Sequence, residues 1–152
     1  RLAEVFARHA SQSICAAYLD KLRQLEFAPL AGYLKGFIDL VFEDRGRWYL
    51  VDYKSNLLGA TPADYEPARL IEPMVDHHYF LQYHLYTVAL HRHLTARLSG
   101  YDYDRHFGGV YYFFVRGMSP AHPFGCGVFR DRPERALIEG LSGLLSQCGG
   151  EP

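Results

Sequence analysis

The sequence is 152 residues long, 49% hydrophobic and 15% aromatic, with a formal net charge of −1. That length and apolar content suit one domain with a real core, and no apolar run approaches the roughly 20 residues that cross a bilayer, so no membrane partner is expected. Near-neutrality argues against a free-standing DNA binder that holds phosphates by bulk positive charge, although it leaves open a nuclease in which metal ions meet the phosphate.

In chain order, residues 3–25 read as helical. Ala3, Val5, Phe6, Ala10, Ile14, Ala17, Tyr18, Leu22 and Leu25 recur at about helical spacing, with an imperfect stretch between Phe6 and Ser13. Arg1, Glu4 and Arg8 interrupt the start where a secretory signal would need an apolar segment. Leu25-Glu26-Phe27 reads as the start of a short strand before Pro29. The three cysteines, Cys15, Cys126 and Cys148, are widely spaced and odd in number. They match neither a zinc spacing nor a disulfide framework, which fits a reducing, cytoplasmic setting.

Residues 33–42 and 48–54 read as two strands of one hairpin around the turn signal Asp44-Arg45-Gly46-Arg47. With a two-residue loop at Arg45 and Gly46, Asp44 pairs with Arg47 and Asp39 falls opposite Asp52. Cross-strand Cβ atoms are then roughly 5 Å apart, and like charges repel at that distance. Lys54, two residues beyond Asp52, shares its face. A divalent cation with oxygen ligands is the commonest partner for such a carboxylate pair. A type I turn with a glycine bulge would instead shift the register by one residue and separate the two aspartates. Asp and Lys on a hairpin most often mark a solvated face. Here Ile38, Leu40, Val41, Leu50 and Val51 make the strands too apolar for that, and charges in such strands are costly unless paired or metal-bound.

Residues 56–73 read as loop, with Gly59, Pro62, Pro67 and Pro73 as breakers and a short helix near 63–71. A long helix follows from 79 to 98, with an apolar face of Leu81, Leu85, Val88, Ala89, Leu90 and Leu94, and Gly100 stops it. Gln82 and Tyr86, four apart, project from one face and can both donate to phosphate oxygens. Tyr83 and His84 lie on other faces. The pairs His77-His78 and His91-x-His93 read as solvated or capping histidines rather than metal ligands. Tyr101-Asp102-Tyr103-Asp104 reads as a turn, residues 109–115 as a buried strand ending near Arg116, residues 127–129 as an edge strand, and a final helix runs from Pro133 to about Ser146. Helices and strands in this order give an α/β domain with a mixed sheet.

Gly36-Phe-Ile-Asp39, Asp52-Tyr-Lys54 and Gln82-x-x-x-Tyr86 together resemble the core motifs of the RecB-type branch of the PD-(D/E)xK nucleases. The likeness extends through Leu50-Val-Asp-Tyr-Lys-Ser-Asn56 and Tyr101-Asp-Tyr-Asp-Arg-His-Phe-Gly-Gly-Val110, and covers most of residues 23–135. It implies a restriction-endonuclease-like core, a mixed β-sheet flanked by helices with the active site at the hairpin. It implies Mg2+-dependent cleavage of DNA, with Asp39, Asp52 and the Tyr53 carbonyl as metal ligands, Glu26 as a further acidic residue, Lys54 as catalytic lysine, and Gln82 and Tyr86 on the DNA backbone. It also implies that residues 1–152 are one nuclease domain, a C-terminal piece of a larger helicase–nuclease subunit that works with RecC and RecD, with RecA as a further partner. No G-x-x-x-x-G-K-[ST] loop for a helicase motor is present. The family's upstream metal-ligating histidine has no counterpart here, since His9 lacks the surrounding motif. The rival reading is a non-catalytic docking module that binds partner subunits or the RecA recombinase; Leu137, Leu141 and Leu144 of the last helix are candidates for such a contact, although they read better as a core-facing stripe.

Overall fold

The computed structural model describes residues 1–9, 16–25 and 35–148. The anticipated helix over 3–25 is described as two helices, α1 (Leu2–His9) and α2 (Ala16–Gln24). The strand expected around Leu25–Phe27 lies, from Glu26 onward, outside the described residues, as does Glu26 itself.

Four strands form one mixed sheet in the order β1 (Leu40–Asp44), β2 (Arg47–Lys54), β3 (Phe107–Phe114), β4 (Val128–Asp131). The β1–β2 and β3–β4 pairs are antiparallel, and β2–β3 is parallel. Arg45 (φ 51°) and Gly46 (φ 79°) both occupy the left-handed region, the geometry of a two-residue type I′ turn. That turn pairs Asp44 with Arg47 and Leu40 with Val51, so the unbulged register is the one adopted. β1 is shorter than expected, because residues 35–38 do not join the ladder. The Tyr53 N–H, which a longer β1 would have paired with backbone, instead donates to Asp39 Oδ2 at 2.9 Å.

The crossover from β2 to β3 carries two 3₁₀ turns (Pro62–Tyr65 and Pro67–Leu70), α3 (Ile71–Asp76), α4 (Tyr79–Arg97) and the single-turn α5 (Tyr103–His106). The chain ends in α6 (Arg135–Cys148). Successive strand residues face opposite sides. Leu50, Val110, Tyr112, Phe114 and Phe129 point from the sheet into the core. There α4 lies between the sheet and the terminal helices: the Phe80 ring is 5.7 Å from Phe129 on one side and 5.0 Å from Tyr18 of α2 on the other. The other sheet face carries an aromatic row, with Phe42 stacked on Tyr49 and Tyr111 next to Phe113.

The face that α4 buries differs from the leucine stripe the sequence suggests. Phe80, Tyr83, His84, Thr87, Val88, Leu90 and Leu94 are buried, whereas Ala89 is exposed and Leu81 and Leu85 are half-buried. The Thr87 hydroxyl donates to the Tyr83 carbonyl within the helix and His84 Nδ1 meets the Phe80 carbonyl, whereas Tyr83 donates across to Asp131 of β4 at 2.7 Å and His84 Nε2 has no partner among the described residues. Among the described residues no helix is long and apolar enough to cross a membrane.

Candidate active site

β2 places Leu50, Asp52 and Lys54 on its core-facing side, and Asp52 stands beside Tyr112 in the parallel register with β3. Asp52 is 5% exposed. Burial pushes its carboxyl above the usual carboxylate range, and the charge of Asp39 pushes the same way; the hydrogen bond and charge of Lys54 offset this only in part. The Lys54 ammonium lies 2.6 Å from Asp52 Oδ2.

Lys54 is held from other directions too. It donates to Gln82 Oε1 at 3.0 Å and sits 3.9 Å from the Tyr79 ring centroid and 5.0 Å from that of Tyr112. Gln82 Oε1 also accepts from the Tyr112 hydroxyl at 3.0 Å, and Gln82 Nε2 donates to the Tyr86 hydroxyl at 3.1 Å. The amide orientation follows from its neighbours, because an ammonium can only donate and must face the oxygen. One amide thus ties the lysine at the end of β2 to the tyrosine one turn further along α4.

Gln82 has a task that its sequence-based reading did not include: its oxygen accepts from Lys54 and Tyr112, and one of its two amide protons goes to Tyr86. Tyr86 accepts from that amide and keeps its own hydroxyl proton to donate. Tyr79 and Tyr112 are the members of the site that sequence reasoning missed. Tyr79 is three residues before Gln82 and so shares its helical face, and Tyr112 is the polar-tipped member of the Val110-Tyr112-Phe114 alternation.

Asp39 is exposed, at the mouth of the site just beyond the last β1–β2 pair. Its Oδ2 takes the Tyr53 N–H. The N–H and C=O of one strand residue point to the same side, so the Tyr53 carbonyl faces the Asp39 edge of β2. Two carboxylates and a backbone carbonyl on neighbouring residues make a hard, all-oxygen donor set. That set fits Mg2+, which binds through one or two carboxylates and keeps several waters. Among the described residues no cluster of three or more His, Cys, Asp or Glu side chains has metal-holding geometry.

The other candidates resolve into structural roles. His77 pairs with Asn56 at 3.1 Å, and His91 with the Tyr101 hydroxyl at 3.2 Å. Asp102 caps α5 by accepting from the Arg105 N–H at 3.0 Å, and Arg135 lies 3.3 Å from Asp102 and 3.7 Å from Asp104, which accounts for both carboxylates. Arg116 donates to the Ser55 carbonyl at 2.8 Å. His9 lies against Gly140 of α6.

A buried carboxylate–lysine pair on a central strand, a second carboxylate across a hairpin and a glutamine–tyrosine helix behind them form the core of a nuclease family. The family model of the PD-(D/E)XK nuclease superfamily matches residues 1–140, and the chain belongs to that superfamily. The four-stranded mixed sheet with its helices is the α/β core that membership calls for. Among individual proteins, the chain is 52% identical over 139 residues to the RecBCD enzyme subunit RecB of Escherichia coli K12, a match covering 84% of this chain and 12% of that subunit. It is 48% identical over 140 residues to RecB of Mycobacterium tuberculosis H37Rv, covering 86% and 13%. It is 35% identical over 145 residues to RecB of Buchnera aphidicola from Baizongia pistaciae, covering 95% and 12%. The chain thus spans about an eighth of the length of the relatives it matches.

Proposed function

We propose that this chain is the nuclease domain of a RecB-type subunit and hydrolyses DNA phosphodiester bonds with Mg2+. The observation that carries the reading is the Lys54 ammonium held 2.6 Å from the buried Asp52 carboxylate, with Asp39 beside the next residue of the strand. Asp39, Asp52 and the Tyr53 carbonyl would hold the cation, which when bound supplies an activated water and offsets charge on the phosphate. Lys54 orients the attacking water or stabilises the charged oxygens of the transition state. Gln82 keeps Lys54 in place, and Tyr86 donates to the phosphate backbone. Contacts of this kind carry little base information, so cleavage is largely independent of sequence.

The relatives are RecB subunits of RecBCD enzymes, and this supports assigning the chain to a cytoplasmic complex with RecC- and RecD-type subunits acting on DNA in break repair and recombination. RecA as a partner rests on the family resemblance alone. Leu137 and Leu141, the docking candidates on α6, are 1% and 0% exposed and belong to the core.

The test is Mg2+-dependent degradation of linear DNA by the protein and its Asp52→Ala variant. Loss of cleavage in the variant, with the fold retained by circular dichroism, supports the reading. Equal cleavage by both proteins overturns it.

A further inference from the structure

Asn56 closes the Leu50–Asn56 segment singled out in the sequence, yet the proposed chemistry gives it no task. Its Oδ1 accepts from the Tyr79 hydroxyl at 3.2 Å, and its Nδ2 is 3.1 Å from His77 Nε2. The His77 ring stacks on Tyr79 with centroids 5.1 Å apart. The Tyr79 ring in turn presents its face to the Lys54 ammonium at 3.9 Å. The strand end thus reaches across to the first turn of α4 and fixes the ring that covers its own lysine.

We propose that Asn56 and Tyr79 are positioning residues for Lys54, with Asn56 acting through the ring of Tyr79. This deepens the nuclease reading and rests on it. A lysine has a long, flexible stem and a rotatable ammonium, so its place must be set from outside. Asp52 and Gln82 fix it by hydrogen bonds, and the negative face of an aromatic ring attracts the charge from a third direction without offering a proton acceptor. Were the Asp52 carboxylate to hold a cation instead, Lys54 would lose its shortest contact. The Tyr79 face and the Gln82 amide would then be what keeps the ammonium near the scissile bond. An aliphatic side chain at position 79 would fill the space but would not hold the charge.

The chain has three lysines, Lys21, Lys35 and Lys54, so selective 13C-lysine labelling gives three side-chain signals, assigned by Lys→Arg substitution. Ring currents displace the Lys54 Hε protons upfield in the parent protein. The displacement falls in Tyr79→Leu to what the Tyr112 ring alone supplies, and less in Tyr79→Phe and Asn56→Leu. Cleavage follows the same order: kcat falls about tenfold in Tyr79→Leu with KM for DNA unchanged, and less in the other two. Identical behaviour of Tyr79→Leu and Tyr79→Phe in both readouts would show that position 79 only packs, and would overturn the proposal. So would an unmoved Lys54 signal in Asn56→Leu, a substitution at a half-buried position outside the core cluster. The magnetic resonance readout needs no cleavage, so it separates failure of this inference from failure of the nuclease reading, which Lys54→Gln tests.

Discussion

Gly36 lies directly against the ring of Tyr86: a Cβ built on Gly36 would come within 2.8 Å of Tyr86 Cε1. The glycine that opens the Gly36–Asp39 motif is therefore a packing requirement of the α4 tyrosine two turns past its start. Gly36→Ala should push the ring away and weaken its hydrogen bond to Gln82. A cost of about 1–3 kcal/mol in urea unfolding is expected, as for other overpacked contacts. Tyr86→Ala removes the ring, so the double variant Gly36→Ala/Tyr86→Ala should lose less than the sum of the two singles. Strict additivity in that cycle would show that the contact carries no strain.

Lys54→Gln should abolish cleavage while leaving cation binding intact or tighter. The Lys54 ammonium, 2.6 Å from Asp52, competes with any cation for that carboxylate. Removing it should raise Ca2+ affinity by a few-fold or leave it unchanged, since the ammonium and the cation draw on the same buried carboxylate. Calorimetric titration with Ca2+ checks this. Parallel loss of Ca2+ binding and cleavage would make Lys54 a structural residue.

His84 gives the fold an acid-sensitive element. It is wholly buried, with Nδ1 2.6 Å from the Phe80 carbonyl and its ring against Tyr83 and Phe6, and burial pushes its pKa down to about 4. The unfolded chain takes up this proton near pH 6.5, whereas the folded chain resists until about pH 4. Stability contributed by neutral His84 is therefore complete above pH 6.5 and falls as pH drops toward 4, by about 3 kcal/mol in all. The raised carboxyl of Asp52 works in the opposite sense, contributing stability that is lost as pH rises above the ordinary aspartate value. The measurement is thus a difference: His84→Phe should flatten the decline in denaturant midpoint between pH 6.5 and 4 relative to the parent protein.

Asp102 provides the contrast with Asp52. It caps α5 and pairs with Arg135. Asp102→Ala should cost about 1 kcal/mol of stability, as for loss of an N-cap, and leave Mg2+-dependent cleavage at the parent rate. A variant that stays stable but stops cutting would mean that this carboxylate belongs to the chemistry after all.

The hairpin register was legible from the sequence because Arg45-Gly46 suits a turn with two positive φ angles, leaving Asp39 and Asp52 in step. The face of α4 was not, because a hydrophobic stripe is a poor guide when the core is built from aromatic and polar side chains. His84 and Thr87 are buried with hydrogen bonds made one turn back, and Tyr83 is buried with its hydroxyl on Asp131 of β4, whereas Leu85 and Ala89 point elsewhere. The contacts of Gln82 were hidden for a different reason. Its partners Lys54 and Tyr112 are 28 and 30 residues away, and only the parallel pairing of β2 with β3 brings them together. Asp39 and Asp52, held by a short local turn, were visible; Tyr79 and Tyr112, which depend on the crossover, were not.

That parallel pairing also sets an order of assembly. The β1–β2 hairpin closes a two-residue loop and can form within microseconds on its own. The slot for Lys54 waits until β3 docks alongside β2, after more than 50 intervening residues have been gathered in, and non-local closure of that kind is slow. A nascent or partly unfolded chain can therefore display both acidic side chains while the lysine has nowhere to lodge. On the nuclease reading proposed above, cutting competence would then arrive only with the completed domain.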